Sequence, residues 1–139
     1  YLKVTFTEQQ KFKMQKNNEK FSMVEICPIR NVISRFGDKW SLLIILILSE
    51  NEKLRFNQLG KLIPDISTKV LSSTLKTLEA DNLVKRTVYP EVPPRVEYNL
   101  TKTGASLVPI INDLTQWAIE NMKPIVAHRK NYEQQTQCQ

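Results

Sequence analysis

The pattern of apolar and polar positions first becomes clearly helical near residue 28. From Pro28 to Phe36 apolar residues recur at helical spacing, and Gly37 is a typical residue at a helix end. Asp38 can cap the next helix, which is predicted over residues 40–49 and is apolar on nearly every side. The pattern therefore predicts two consecutive helices, of which the second lies at the centre of the fold.

Two shorter helices are predicted in the middle of the chain, on either side of a Pro-Asp pair that interrupts the helical pattern. A short extended segment at residues 54–56 leads to Asn57, a suitable N-cap for a helix over residues 57–63. Ser67 is a suitable N-cap for a second helix, which ends near Ala80. The apolar stripe of this second helix consists of Val70, Leu71, Leu75 and Leu78.

Two strands are predicted next, over residues 83–89 and 95–100, because apolar and polar residues alternate at Thr87-Val88-Tyr89 and again from Arg95 to Leu100. The five residues between the strands include three prolines, which restrict the backbone and remove N–H groups that could recruit another strand. Thr101 can cap a long last helix, and the polar residues 131–139 are expected to fray. This order predicts a mainly α fold with a small antiparallel β-hairpin, arranged as a winged helix-turn-helix.

Length and composition fit one domain with extensions at both ends. The chain has 139 residues, of which 41% are apolar, enough for a small core. We expect a partly helical, dimer-associated N-terminal extension over residues 1–26, a winged helix-turn-helix domain over residues 27–122, and a C-terminal tail over residues 123–139. The apolar runs are too short to cross a bilayer, no secretory signal is recognisable, and two cysteines make no disulfide framework, so a cytoplasmic location is expected.

Composition gives weak support for a polyanionic partner and little for an enzyme. The formal net charge of +6 permits a nucleic-acid partner but does not establish one, since much of the excess lies within residues 1–39. A single histidine, three glycines and scattered aspartates provide no recognisable metal site, phosphate loop or catalytic acid pair. We therefore expect a binding protein that needs no cofactor and no metal.

The polar face of the predicted helix over residues 67–80 suits the major groove of DNA, which is about 12 Å wide and admits one helix. Lysines bind phosphates or guanine edges, whereas a carboxylate would be repelled, and none precedes Glu79 in this helix. The alternative is an ordinary amphipathic helix whose polar face is only solvated. The candidate DNA-binding residues here are Thr68, Lys69, Ser72, Ser73 and Lys76, together with Asn57 of the preceding helix.

The proline-stiffened hairpin favours the DNA-binding interpretation, because its tip can protrude as a wing beside the helix. Arg86 and Arg95 lie on or near this hairpin, and we expect Arg95 to reach backbone phosphates or the minor groove. Glu91 and Glu97 lie nearby, and at least one of them should pair with a local arginine rather than face DNA. The same wing could instead dock a protein partner, in a module that does not bind DNA.

The apolar face of the predicted last helix is broader than one small domain needs to cover. Two copies related by a two-fold axis could bury this face, with help from the first helix. The two reading helices would then lie about 34 Å apart, the distance between half-sites one helical turn apart. The alternative is a helix that packs only on its own core. The expected dimer contacts are Ile29, Ile33, Leu107, Ile111, Leu114 and Trp117.

Three segments carry a specific family resemblance: CPIRNVISRFGDKWSLLIILIL, LRFNQLGKLIPDISTKVLSSTLKTLEADNLVKRTVYPEVPPRVEYNLTKTG and LVPIINDLTQWA. They resemble the HxlR family of winged-helix transcription regulators over roughly residues 27–122. The resemblance implies a homodimer that binds inverted-repeat operator DNA, with the helix over residues 67–80 as the reader and Arg95 in the wing. Ser73 and Thr74 are smaller than the corresponding residues of many relatives, so no operator sequence is carried over.

Cys27 matches the N-terminal cysteine of the HxlR family, whose thiol senses quinones, hypochlorite or other electrophiles in some members. A thiolate at a helix N-terminus is stabilised and reacts first, and Arg30 lies one turn away. The alternative is a structural cysteine without a sensing role. Cys27 is therefore a candidate redox-sensing residue, and the sequence specifies no other effector.

Overall fold

Five helices and a three-stranded sheet make up residues 28–138, the part of the chain that the computed structural model describes. This architecture confirms the predicted mainly α, winged helix-turn-helix fold. The expected N-terminal extension, residues 1–26, and Cys27 lie outside the described residues. In chain order the elements are α1 (Pro28–Phe36), α2 (Ser41–Glu50), β1 (Leu54–Arg55), α3 (Phe56–Leu62), α4 (Thr68–Ala80), β2 (Val84–Tyr89), β3 (Arg95–Leu100) and α5 (Lys102–Gln137).

The end of α1 and the cap that follows it lie where the sequence predicts. The N–H of Gly37 donates to the carbonyl of Ile33 (2.9 Å) and closes α1. One carboxylate oxygen of Asp38 accepts from the N–H groups of Trp40 and Ser41, both at 3.1 Å, and the other accepts from the Ser41 hydroxyl. Burial raises the pKa of Asp38, but these hydrogen bonds outweigh it and hold the pKa below its ordinary value. The lowered pKa favours the carboxylate in the folded state, so the stabilisation is present at neutral pH and is lost as the pH falls through the folded-state pKa.

Side chains fix the starts of α3 and α4, the two helices of the helix-turn-helix. The N–H of Arg55 donates to Oε1 of Gln58 (2.8 Å) at the start of α3. The hydroxyl of Ser67 accepts from the N–H of Val70 (3.2 Å) at the start of α4, which confirms Ser67 as the predicted cap. The prediction that Asn57 caps α3 is wrong, because the extended backbone of Arg55 lets the helix begin one residue earlier.

A tight turn at the end of α4 directs the chain into β2. The N–H of Asn82 donates to the carbonyl of Glu79 (3.0 Å), and the N–H of Leu83 donates to the carbonyl of Leu78 (2.9 Å). Asn82 has a φ of 58°, a left-handed conformation that asparagine tolerates better than most residues. The turn satisfies carbonyl groups at the helix end and buries both leucines, which confirms the helix stop predicted at Asp81 and Asn82.

β3 is the central strand of the antiparallel sheet, whose order is β1–β3–β2. β2 and β3 form the predicted hairpin, in which Arg86 lies opposite Tyr98. On the other edge of β3, Leu54 lies opposite Tyr98 and Arg55 lies opposite Glu97. The short extended segment predicted at residues 54–56 is thus confirmed as β1, whereas its pairing with β3 was not predicted.

The core of residues 42–138 forms between the helices and the inner face of the sheet. On α4, Leu71, Leu75 and Leu78 are buried as predicted, but Val70 is 38% exposed and Thr74 is buried in its place. A helix turns by about 100° per residue, so Thr74 lies about 40° from Leu78 around the helix, whereas Val70 lies about 80° from it. The other buried apolar side chains are Ile44, Ile45, Leu48, Leu54, Leu59, Ile63, Leu83, Val84, Tyr98 and Ile111.

α5 begins beside the end of α4 because the side chain of Thr101 links the two helices. Its hydroxyl donates to the carbonyl of Asn82 (2.7 Å) and accepts from the N–H of Gly104 (3.1 Å), so the predicted cap is confirmed. A Cβ at Gly104 would lie 2.1 Å from the carbonyl oxygen of Leu83. Glycine therefore permits the close contact between the first turn of α5 and the start of the hairpin.

α5 has 36 residues and continues to Gln137, so the prediction that residues 131–139 fray is wrong as far as Gln137. The expected C-terminal tail from residue 123 continues the same helix. Its polar residues are good helix formers, and Arg129 pairs with Glu133 one turn away (3.1 Å). Although long, α5 is not apolar enough to cross a membrane, and no other helix within residues 28–138 meets that requirement.

Candidate nucleic-acid interface

The outward face of α4 carries the polar residues that the sequence analysis assigned to DNA. Lys69, Ser73 and Lys76 lie opposite the buried stripe, and all three are exposed. Thr68 is exposed and Ser72 is half-buried, on the flank of the same face. No acidic residue lies in the first turn of α4. The face therefore presents ammonium and hydroxyl groups to any anionic surface placed against it.

A depression of about 350 Å³ joins α4 to β2. Ser72 and Lys76 line it from α4, and Arg86 lines it from β2. The fold thus brings three predicted interface residues, two of them basic, to a single surface feature. The depression is also lined by Phe56, Glu79 and Tyr98.

Asn57 lies where two further depressions meet, in the first turn of α3. One depression, of about 570 Å³, is lined by Arg55, Asn57 and the wing tip at residues 91–96. The other, of about 300 Å³, is lined by Asn57, Lys61 and Thr68. Asn57 is exposed and therefore lies between the wing tip and the start of α4, although it does not cap α3.

Arg95 is held by its own wing. Its Nη2 atom lies 3.4 Å from Glu91, its Nε atom lies 3.4 Å from Glu97, and its guanidinium carbon lies 4.1 Å from the centre of the Tyr89 ring. The prediction that a glutamate pairs with a local arginine is confirmed, since both glutamates pair with Arg95. That Arg95 reaches backbone phosphates or the minor groove stays a prediction, and in this structure two carboxylates oppose its single positive charge.

Tyr98 lines the same depression as Ser72, Lys76 and Arg86, although the sequence did not single it out. Its position in β3 looks like an ordinary core position, and the side chain is 8% exposed. The strand register places Tyr98 directly opposite Arg86, on the same face of the sheet. The pairing of the two strands was the sequence signal available for Tyr98. Without the position of α4, however, it did not show that Tyr98 lies beside this helix.

Apolar side chains remain exposed on α1 and on α5. Ile29 and Ile33 are exposed on α1, and α1 buries none of its residues. Leu114 and Trp117 are more than half exposed on α5, at 54% and 53%. These four predicted dimer contacts are thus accessible in the single chain.

Ile111 and Leu107 differ from the other predicted dimer contacts. Ile111 is 4% exposed and belongs to the core of the single chain, so its assignment to an intermolecular face is wrong. Leu107 is half-buried. Adjacent helix positions point about 100° apart, and Ile110, next to Ile111, is 63% exposed. The broad apolar face predicted for α5 therefore combines a core side with an outward side.

Acidic, cysteine and histidine side chains within residues 28–138 form no group of three or more suited to holding a metal ion. Cys138 is exposed and free. In the described part of the chain, the candidate binding groups are therefore the charged and hydroxyl side chains on α3, α4 and β2.

The fold and the outward face of α4 define a winged helix-turn-helix protein. A model of the HxlR-like helix-turn-helix family matches residues 35–126. The chain is 44% identical over 102 residues to an HTH-type transcriptional regulator of Halalkalibacterium halodurans, covering 73% of this chain and 90% of the relative. The chain therefore belongs to the HxlR-like helix-turn-helix family of transcriptional regulators.

The solved structures that are similar to this chain include two regulators. One is a transcriptional regulator from Porphyromonas gingivalis described as a MarR-family protein, with 44% identity and a TM-score of 0.64, covering 70% of this chain and 94% of that one. The other is the reduced form of the redox regulator HypR, with 34% identity and a TM-score of 0.68, covering 73% of this chain and 99% of that one. Both similarities support the assignment to helix-turn-helix regulators.

Proposed function

We propose that this regulator binds specific DNA sequences as a homodimer, on inverted-repeat operators, in the cytoplasm. The observation that carries the proposal is the outward face of α4, where Lys69, Ser73 and Lys76 are exposed and no carboxylate precedes Glu79. α4 has 13 residues and is therefore about 20 Å long, sufficient to lie along a major groove.

The polar groups around α4 suit different parts of a duplex. Lys69 and Lys76 can bind phosphates or guanine edges, and the hydroxyl of Ser73 can donate to phosphates or bases. Asn57 can bind the backbone or an adenine edge next to the start of α4. Thr68 and Ser72 are four residues apart and lie on one flank of α4, where they can add contacts to the phosphates on that side of the groove.

Arg95 has a positioning role in this proposal. Its ion pairs with Glu91 and Glu97, together with its stacking on Tyr89, join both strands of the wing near its proline-rich tip. Partly exposed pairs of this kind contribute little free energy individually, but together they restrict the tip to one shape. The shape of the wing then determines how it fits the duplex, and Arg86 supplies a positive charge near the base of the wing.

Salt dependence tests the proposal and separates it from the alternative of a protein-docking module. DNA fragments selected by the protein from a random pool would be titrated by fluorescence anisotropy. Displacement of counterions from four or more phosphates should weaken binding by roughly 100-fold or more between about 50 and 200 mM salt. Failure to select any DNA, or an affinity that does not change with salt, would favour the docking module.

The homodimer of this proposal uses the exposed apolar residues of α1 and α5. Ile110, Leu114 and Trp117 recur at intervals of four and three residues, which places them along one side of α5. A second copy related by a two-fold axis could cover the same residues reciprocally. Two α4 helices about 34 Å apart would then address both halves of an inverted repeat.

We predict that Trp117→Glu converts the dimer to a monomer at micromolar concentration, because the partner would have to bury a carboxylate without a countercharge. Sedimentation equilibrium would measure the mass. Ile119→Glu is the matched control, since Ile119 is 69% exposed but lies about 200° around the helix from Trp117. Equal masses for the parent and Trp117→Glu would remove α5 from the proposed interface.

A thiol response through Cys27 is the second part of the proposal. Cys27 directly precedes Pro28, the first residue of α1, and HypR, to which the chain is 34% identical, is a redox regulator. A thiolate beside a helix N-terminus is stabilised by the backbone N–H groups there and reacts readily with oxidants. In this proposal, oxidation of the Cys27 thiol lowers the affinity of the protein for DNA.

We predict that diamide, which joins the Cys27 thiols of the two copies in a disulfide and is itself reduced, weakens DNA binding of the parent at least tenfold and leaves Cys27→Ser unaffected. The gel-shift titration includes Cys138→Ser, which removes the exposed second cysteine and should respond like the parent. If Cys27→Ser loses DNA binding with diamide as the parent does, Cys27 is not the sensing residue.

A further inference from the structure

We propose that the depression between α4 and β2 holds a DNA backbone phosphate, and that the hydroxyl of Tyr98 is one of its donors. This inference rests on the proposed DNA-binding function and names the anchor point of that function. The depression is lined by Ser72, Lys76, Arg86 and Tyr98, together with Phe56 and Glu79. Two fixed positive charges and two hydroxyl groups around one concavity are the chemistry that binds a phosphate.

The charge balance favours this depression over the wing tip. At the tip, the guanidinium group of Arg95 is opposed by Glu91 and Glu97 at 3.4 Å each. Around the depression, Lys76 and Arg86 face the single carboxylate of Glu79. A phosphate approaching the wing therefore meets net positive charge at the base of the hairpin rather than at its end.

Tyr98 is 8% exposed and is one of the residues that line the depression. Among residues 28–138 its hydroxyl has no hydrogen-bond partner. A buried tyrosine normally satisfies its hydroxyl, and a phosphate oxygen in the depression would do so here.

The sheet register gives the site its rigidity. Arg86 and Tyr98 are directly paired across β2 and β3, so their side chains stand side by side on one face of the sheet. Lys76 reaches the same depression from α4, one turn before its end. A phosphate bound there would fix the distance between α4 and the hairpin, so that one contact aligns both elements on the duplex.

Tyr98→Phe tests this inference because it removes one hydroxyl and no charge. We expect its affinity for selected DNA to fall about tenfold, as for the loss of a hydrogen bond to a charged group, with an unchanged salt slope. Arg86→Gln should also weaken binding and should reduce the salt slope by about one. Tyr132→Phe, on α5 outside the depression, is the matched control and should bind like the parent.

The outcomes separate this inference from the function on which it rests. The phosphate site would be overturned if Tyr98→Phe and Arg86→Gln bind DNA like the parent while Lys69→Ala/Lys76→Ala binds it more weakly. That result would leave DNA binding by α4 intact. A parent protein that selects no DNA would overturn both. If Tyr98→Phe melts well below the parent, the salt slope of Arg86→Gln decides, since Arg86 is exposed. An unreduced slope would then overturn the site.

Discussion

Replacing Lys69 and Lys76 together by alanine is expected to weaken DNA binding about 100-fold. Both side chains are exposed on the outward face of α4, where each can make a charged hydrogen bond worth roughly 1.4 kcal/mol. The loss of two phosphate contacts should also reduce the slope of log affinity against log salt by about two. Fluorescence anisotropy at several salt concentrations measures both quantities.

The double variant needs a control that loses the same charge elsewhere. Lys123 and Lys130 are exposed on α5, and Lys123→Ala/Lys130→Ala removes two positive charges away from α4. We expect the control to retain most of its affinity and both double variants to keep the thermal stability of the parent. Equal losses of affinity in the two variants would mean that net charge, not the face of α4, determines binding.

Gly104→Ala is expected to destabilise the fold by about 3 kcal/mol, which corresponds to a melting temperature roughly 10 °C lower. The new Cβ would lie 2.1 Å from the carbonyl oxygen of Leu83, so backbone must move. That movement would strain the hydrogen bonds from Thr101 that join α5 to the end of α4. Thermal or urea unfolding monitored by circular dichroism measures the change.

Gly60→Ala is the matched control, because Gly60 is also a helical glycine. Its Cβ would lie 3.7 Å from Cδ2 of Leu71, an ordinary van der Waals distance. Alanine inside a helix is favoured over glycine by roughly 0.5–1 kcal/mol, so this variant should be slightly more stable than the parent. A Gly104→Ala protein as stable as Gly60→Ala would contradict the described contact between α5 and Leu83.

Local signals in the sequence predicted most of the fold. Pro28 and Gly37 mark the ends of α1, and Ser67 and Thr101 form the caps expected of them, because these interactions involve residues within a few positions of each other. The alternation from residue 95 to residue 100 likewise reproduces β3. Such features depend on backbone preferences that neighbouring residues determine.

The errors concern contacts between distant parts of the chain. Thr74 is buried and Val70 is partly exposed because the packing of α4 on the sheet, not its apolar pattern alone, sets the rotation of the helix. Ile111 is a core residue for the same reason on α5. The ion pairs of Arg95 require the side-chain geometry of the wing, which spacing along β3 does not specify.

In the candidate interface too, features set by neighbouring residues were predictable, and contacts between distant parts of the chain were not. The exposed lysines of α4 were predictable, since polarity and helical spacing place them on one face. The link between Lys76, Arg86 and Tyr98 was not, because it depends on both the strand register and the position of α4 against the sheet. The chemistry of an interface is therefore visible in the sequence before its geometry is.

Hydroxyl-radical footprinting of the parent protein on its selected DNA would test the central claim most directly. Two copies of α4 and its neighbouring hairpin, facing one duplex, should protect two regions related by a two-fold axis and centred about 10–10.5 base pairs apart. Protection of a single region, or of regions without that spacing and symmetry, would contradict the claim.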